Sequence, residues 1–260
     1  MEKIIKIIIH GANGKMGKKV LEIARENNLT QPIFGIDVEE NLSDINFPIY
    51  NSFSNAKEKA DVVIDFSSPK CLDNILSYCQ STNTPAVLCS TGYTEQDIAK
   101  IEQASKKVAI FRSANMSLGV NVLIDLCKRA TTKLDGFDIE IIEKHHNKKV
   151  DAPSGTALML ADSIKEIQSD KFYVYGREGI VGKREKNEIG IHAIRGGNIV
   201  GEHQVIYAGE NETITLIHQA TDRSVFAVGA VKAAIYLSDK KQGLFNMNNL
   251  ISEKWLKKIY

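Results

Sequence analysis

The stretch Ile4-Ile5-Lys6-Ile7-Ile8-Ile9-His10-Gly11-Ala12-Asn13-Gly14-Lys15-Met16-Gly17 decides the fold, because three kinds of pattern meet inside it. Ile4 to Ile9 is a nearly unbroken β-branched run, as expected of a strand buried on both faces in a parallel sheet. Beyond Gly17 the apolar residues Val20, Leu21, Ile23 and Ala24 fall at helical spacing. Between them, glycines at 11, 14 and 17 permit a tight turn and let an anion approach the N–H groups that open the helix, where the backbone is partially positive. Strand, glycine turn and helix are the context of a dinucleotide-binding fingerprint, here with glycine at the first, fourth and seventh places rather than the commonest spacing.

The next strand, Pro32 to Ile36, ends at Asp37. An acid there can accept hydrogen bonds from ribose hydroxyls or simply stay solvated. Val38, Glu39 and Glu40 follow with no arginine for a 2′-phosphate, which leans the reading to NADH over NADPH. Alternation continues with strands at 61–65, 85–89 and 108–112 and helices at 69–78 and 95–105. That order implies a doubly wound parallel sheet. Its strand ends carry Phe66-Ser67-Ser68, Ser90-Thr91-Gly92-Tyr93 and Ser113-Ala114-Asn115-Met116-Ser117, loops expected to line the nicotinamide half of a site.

After Asn115 the pattern changes. A helix from 118 to 133 leads to a strand at 137–143, a polar loop and a helix at 156–167. Alternating stretches at 190–195, 199–207 and 212–218 follow and read as antiparallel, with exposed strands able to pair subunits. Arg195, before the turn Gly196-Gly197-Asn198, either reaches a carboxylate or faces solvent. An apolar helix at 222–237 returns the chain to the first domain, and the segment from Lys240 to Tyr260 finishes there. The expected organisation is a dinucleotide-binding domain of residues 1–115 and 225–260 and a substrate-binding and oligomerisation domain of 116–224.

The loop from Glu143 to Thr156, Glu-Lys-His-His-Asn-Lys-Lys-Val-Asp-Ala-Pro-Ser-Gly-Thr, is the chemical centre of this reading. Histidine titrates near neutrality and lysines attract an anionic ligand, although strand-to-helix loops are also charged for solubility alone. A single metal ion on Glu143, His145 and His146 is disfavoured, because adjacent residues on an extended chain point apart. A net charge of +1 over 260 residues, with no basic stripe, gives no reason to expect nucleic acid. No apolar run has membrane-spanning length, and the opening Met1 to Ile9 is broken by Gly11, Asn13, Lys15 and Lys18 before it makes a signal segment. Cys71, Cys79, Cys89 and Cys127 show no metal or redox spacing and read as free thiols of a reducing cytoplasm.

Several motifs occur together and in order: Gly-Ala-Asn-Gly-Lys-Met-Gly at 11–17, Asp-Phe-Ser-Ser-Pro at 65–69, Ser-Thr-Gly-Tyr at 90–93, Ala-Asn-Met-Ser-Leu-Gly-Val-Asn at 114–121, the 143–157 stretch, and Gly-Glu-His at 201–203. In these the chain closely resembles, over essentially its whole length, the dihydrodipicolinate (4-hydroxy-tetrahydrodipicolinate) reductase family of the diaminopimelate route to lysine. The resemblance implies a Rossmann-like α/β domain plus a second α+β domain with a mostly antiparallel sheet. It further implies NADH or NADPH as cofactor, a cyclic imine dicarboxylate as substrate, and a cytoplasmic homotetramer assembled through the second-domain sheet.

By the same resemblance, His145 matches the general acid, Lys149 a second proton donor, and His146, Gly155 and Thr156 the substrate-binding positions. Gly11, Ala12, Asn13, Gly14, Lys15, Met16, Asp37, Cys89, Ser90, Thr91, Ser113, Ala114, Asn115 and Met116 match cofactor contacts. Val38 and Ser68 stand where arginines occur in members that use NADPH well, and Cys89 where glycine is frequent. Two other readings remain: a semialdehyde or homoserine dehydrogenase relative, the former needing a thiol nucleophile, and a non-catalytic dinucleotide sensor.

Overall fold

A computed structural model describes residues 3–39, 47–56 and 58–252; Glu40 and the end of the chain from 253 to 260, both drawn on above, lie outside them. The chain divides into two compact units, one running to Leu118 and resuming at Ser224, the other spanning Gly119–Arg223.

In the first unit, β1 (Ile5–His10), β2 (Thr30–Ile36), β3 (Ile49–Tyr50), β4 (Val62–Asp65), β5 (Ala86–Leu88), β6 (Ala109–Arg112) and β12 (Gly243–Phe245) form one parallel sheet. Its order is β12-β6-β5-β4-β1-β2-β3, so the winding reverses between β1 and β4. Ile7, Ile8, Ile9, Val62, Val63 and Ile64 have no solvent exposure, which explains why these strands read as apolar runs without alternation. Each such side chain contributes roughly 1.5–3 kcal/mol on burial. Helices α1 (Lys15–Glu26) and α6 (Ser224–Leu237) share one face with the α6 alanines and Val231, while α2 (Leu72–Thr82) and α3 (Glu95–Ser105) cover the other. A Cβ on Gly229 would lie 1.7 Å from the Met116 carbonyl oxygen, so close docking of α6 requires glycine there.

The short edge strands β3 and β12 were not foreseen. The helix expected at 69–78 begins as a 3-10 turn, Pro69–Cys71, capped by the Ser68 hydroxyl. It then continues as α2 to Thr82 and stops at Asn83, whose φ of 54° ends the helix. A further helix, α7 (Met247–Ile251), buries Met247 and Leu250 in the same core as α6.

The second unit holds α4 (Leu118–Lys133), α5 (Gly155–Lys165) and a five-stranded sheet of β7 (Asp138–His145), β8 (Phe172–Tyr175), β9 (Glu188–Arg195), β10 (Gly201–Ala208) and β11 (Thr213–Ala220), in the order β11-β10-β7-β9-β8. The antiparallel ladders implied by the alternation are those of β10 with β11 and with β7. Ladders β7–β9 and β8–β9 are parallel, making the sheet mixed. Alternation reports which face is buried and is silent on strand direction, and the crossover through α5 sets that direction. Ile139, Ile141, Ile189, Ile191, Val205 and Tyr207 face the helices.

One boundary matters for chemistry. The strand expected to end at Glu143 runs to His145, pairing Lys144 with Glu202 and His145 with Arg195. Side chains repeat every second residue along a strand, so Glu143 and His145 continue the buried row of Ile139 and Ile141.

Candidate active site

At the carboxyl ends of β1 and β2, Gly11 adopts φ +79°, and a Cβ there would sit 2.8 Å from the Phe66 carbonyl oxygen. A Cβ on Gly17 would lie 2.1 Å from the Gly11 carbonyl oxygen, so these two glycines are fixed by close backbone approach. Gly14 caps α1 without any side-chain hydrogen bond, and the first turn, which includes exposed Lys15 and half-buried Met16, contains no acid. The result is an uncapped helix N-terminus suited to a pyrophosphate. Asp37 accepts from Asn13 N at 2.8 Å on one oxygen and from Val38 N at 2.8 Å on the other, so its carboxylate is held in place. Buried Asn13 Oδ1 has no partner, and the buried Ala12 packs against Gly35. A cavity of about 780 Å³ opens here, lined by His10, Gly11, Asp37, Phe53, Ser67 and Tyr78 among others, with no lysine or arginine among its described lining residues. Glycine cradle, bare helix end and the unpartnered Asn13 Oδ1, whose amide Nδ2 donates to the Glu39 carbonyl at 2.7 Å, fit a dinucleotide.

Asp65, at the end of β4, has 1% exposure. Its carboxylate accepts from Ser67 Oγ at 2.5 Å, Ser67 N at 3.1 Å and Ser90 Oγ at 3.0 Å, and lies 2.9 Å from His10 Nδ1. No role was read for His10 or Asp65 in the sequence; the signal there was Asp65 at the head of the Asp-Phe-Ser-Ser-Pro motif, whereas the register that pairs the two residues belongs to the fold. Thr91 and Ala114 are exposed, Ser113 Oγ donates to the Asn115 carbonyl, and the Asn115 side chain accepts from Ser117 N. Of the residues matched to cofactor contacts, Met116 has its side chain in the core, and the Cys89 thiol is turned toward the Val87 carbonyl. Burial, with the Asp65 charge behind it, pushes the Cys89 thiol well above the ordinary range. This leaves no thiolate for the semialdehyde-dehydrogenase reading at that position.

In the second unit the Glu143 side chain is fully buried. One oxygen lies 2.6 Å from His145 Nδ1 and accepts from Arg195 Nη1 at 2.8 Å; the other accepts from Arg195 Nη2 at 2.6 Å and from Ser154 N at 3.0 Å. Arg195, left open above, therefore reaches a carboxylate. Burial works against ionisation of Glu143, yet the bonds from Arg195, His145 and Ser154 hold its pKa below the ordinary value. The His145 side chain is 12% exposed and its pKa is lowered, chiefly by burial, with Glu143 opposing and Lys149 and Arg195 reinforcing. Lys149 donates to Asp151 at 2.7 Å, with its own side chain 21% exposed and that of Asp151 53% exposed.

Ser154 caps α5 by accepting from Ala157 N and contacts His203 Nε2 at 2.9 Å. Exposed Gly155 and half-buried Thr156 form the first turn of that helix. The Ser154 N–H is bound to Glu143. His203 stacks edge-on to His145 at 5.2 Å, and burial first, then His145, lowers its pKa to about 4. His146 Nε2 lies 3.3 Å from Arg223 Nη2. Sequence reasoning assigned no role to Arg223 or His203; the latter was visible only inside the Gly-Glu-His motif. Among the described residues no group of histidine, cysteine and acidic side chains is arranged to hold a metal.

The sheet order, the glycine cradle and the fixed acid at the end of β2 define a Rossmann-type dinucleotide-binding protein with a second α+β unit. Residues 5–116 match the family model for the dihydrodipicolinate reductase N-terminus and residues 119–251 that for its C-terminus; the chain belongs to the dihydrodipicolinate reductase family. It is 51% identical over 251 residues to the 4-hydroxy-tetrahydrodipicolinate reductase of Caldanaerobacter subterraneus subsp. tengcongensis, covering 96% of this chain and 99% of that protein. Its fold is similar to dipicolinate-bound dihydrodipicolinate reductase from Paenisporosarcina sp. TG-14, with a TM-score of 0.81 and 23% identity over 94% of this chain and 99% of that one. An engineered D-amino acid dehydrogenase bound to NADP+ shares the fold more distantly, with a TM-score of 0.58 and 15% identity over 99% of this chain and 98% of that one.

Proposed function

We propose that the chain reduces 4-hydroxy-tetrahydrodipicolinate, or the dihydrodipicolinate formed from it by loss of water, to tetrahydrodipicolinate at the expense of NADH or NADPH. The step belongs to diaminopimelate and lysine biosynthesis. The first unit is the dinucleotide-binding domain and the second the substrate-binding and oligomerisation domain. The observation that carries the reading is the partly shielded His145, anchored to a buried carboxylate in the domain that matches the family's C-terminal model.

When bound, the reduced nicotinamide supplies the hydride. The protein's own residues do the rest. The helix start at Gly14–Met16 receives the pyrophosphate, and Asp37 accepts from the ribose hydroxyls. NADH is favoured over NADPH, because a 2′-phosphate at this point would meet the Asp37 carboxylate with no lysine or arginine among the described cavity residues. Addition of hydride to an unsaturated imine leaves negative charge on the ring. His145 Nε2 holds the proton that quenches it, and the Lys149 ammonium stabilises the charge as it develops. Gly155 and Thr156 at the α5 N-terminus, with the guanidinium of Arg223 beside His146, are suited to the two ring carboxylates.

A homotetramer is supported by the uncovered face of the mixed sheet, where Ile194 and Ile217 are 45% and 56% exposed. A cytoplasmic location is supported by the four free cysteines. No helix among the described residues is long and apolar enough to cross a membrane.

The test follows nicotinamide absorbance with the product of dihydrodipicolinate synthase and each cofactor in turn. Turnover with that substrate is expected, with a higher kcat/KM for NADH. His145→Ala should lower kcat by about 10²- to 10⁴-fold with KM little changed. Full turnover by that variant would remove His145 from the mechanism.

A further inference from the structure

Glu143 is a fully buried acid that the mechanism above does not use directly. Both of its oxygens are occupied: His145 and Arg195 share one, Arg195 and the Ser154 N–H share the other. An ionised carboxylate can only accept, so the contact at 2.6 Å assigns the proton on His145 Nδ1. That leaves Nε2 as the nitrogen whose proton comes and goes. Nε2 points at Gly201, where a Cβ would stand 3.1 Å away, so the glycine at the start of β10 keeps the exchanging nitrogen accessible.

Arg195 is itself bound to main-chain carbonyls. Nη1 donates to Ile194 O at 2.8 Å and Nη2 to Asp151 O at 2.7 Å, so the guanidinium cannot follow the carboxylate if it moves. The groups facing His145 are Glu143 from β7, Arg195 from β9, His203 from β10 and Lys149 from the loop before α5. Of these only Glu143 favours the imidazolium.

We propose that Glu143 and Arg195 form a two-residue positioning device for His145: Glu143 fixes the ring and its Nδ1–H tautomer, and Arg195 takes up part of the carboxylate's charge so that the imidazole still releases its proton. The proposal rests on His145 being the proton donor only where it speaks of turnover; tautomer and titration are read without activity. Burial, which lowers the proton affinity of His145, is opposed by Glu143, and Arg195 acts in the other direction. Removing the two partners must therefore move the titration of His145 in opposite directions.

The experiment is a pH titration of the full-length ¹⁵N-labelled protein by long-range imidazole NMR, with the His145 signal assigned from its loss in His145→Gln. Wild type is expected to show the Nδ1–H tautomer when neutral. Glu143→Gln, close to isosteric, should shift the His145 midpoint down by about one pH unit and mix the tautomers. Arg195→Gln should shift it up by a similar amount while keeping Nδ1–H. In turnover, Glu143→Gln should lower kcat by about 10²-fold or more at near-constant KM, with partial recovery in Glu143→Asp. Shifts of the same sign in the two variants, or an unchanged tautomer in Glu143→Gln, would overturn the proposal. If Glu143→Gln does not fold, an Arg195→Gln midpoint that stays in place or moves down does so instead. Should His145→Ala turn over normally while the two shifts appear as stated, the general-acid assignment fails and the positioning device stands.

Discussion

In each unit a buried carboxylate lies against a histidine, Asp65 with His10 in the parallel sheet and Glu143 with His145 in the mixed one, and the two are balanced differently. Asp65 accepts from the Ser67 and Ser90 hydroxyls and the Ser67 N–H and lies against an imidazole, with no guanidinium on either oxygen. Glu143 is clamped on both oxygens by a guanidinium, a cation that proteins do not deprotonate. On the function proposed above, a dinucleotide would bring its own negative charge to the first unit, where the held acid would need shape more than countercharge. On the proposal made above, the second unit keeps a histidine able to change protonation, and there a permanent cation would stop the acid from holding the proton too tightly.

The sharpest way to break this contrast is to remove each acid. Glu143→Ala strands the Arg195 guanidinium, whose side chain is only 20% exposed, and should cost about 3–5 kcal/mol in denaturant unfolding. Asp65→Asn keeps the volume and strands no guanidinium, so the expected cost is about 1–3 kcal/mol. Equal losses, or a larger one for Asp65→Asn, would show that the guanidinium is not what separates the two centres.

A second test uses pH. His203, 4% exposed against the Glu143 centre, has its folded pKa depressed to about 4 against 6.5 for the ordinary group. Between these values the unfolded chain binds the extra proton, so stability rises with pH through this window and is lost as pH falls from 6.5 toward 4. The full loss from this group is about 3 kcal/mol. His145, Lys149, His218 and Glu143 face it and modify the size, burial remaining the largest cause. Thermal unfolding of wild type and His203→Gln at pH 7 and pH 4.5 checks it. The variant should lose markedly less stability than wild type over that range, and parallel losses would place the acid sensitivity elsewhere.

How far these two centres were legible from sequence differs for a physical reason. β1, the glycine turn and α1 were readable because a doubly buried strand, a backbone contact tolerating only glycine, and an amphipathic helix each leave a pattern within a few residues. Glu143-Lys144-His145 read as loop because its residues are polar, yet they alternate as a strand, and the period rather than the polarity carried the information. The other partners of Glu143, Arg195 and Ser154, come from β9 and from the start of α5, so no local pattern joins them to it. β3 and β12, two and three residues long, sit at the sheet edges and are too short for any period to show. Cys89 matched a cofactor position by motif, but the direction of its side chain depends on which face of the sheet it joins.

The smallest effect should come from Ser90→Ala, and it tests the neutral half of the contrast directly. Ser90 Oγ gives Asp65 one of several donors, at 3.0 Å, and Ser67 supplies two more while His10 stays in place. Losing a single neutral hydrogen bond of this kind costs about 0.5–1.5 kcal/mol. If the carboxylate is held chiefly for shape, the remaining donors keep it in position, and dinucleotide affinity should fall by no more than about tenfold, the equivalent of about 1.4 kcal/mol. Isothermal titration with NADH alongside denaturant unfolding separates the two quantities. A stability loss close to that of Asp65→Asn would mean that Ser90 is indispensable to the charge balance. Asp65 would then resemble Glu143 in depending on one dominant partner, and the distinction between a centre built for shape and one built for proton exchange would fail.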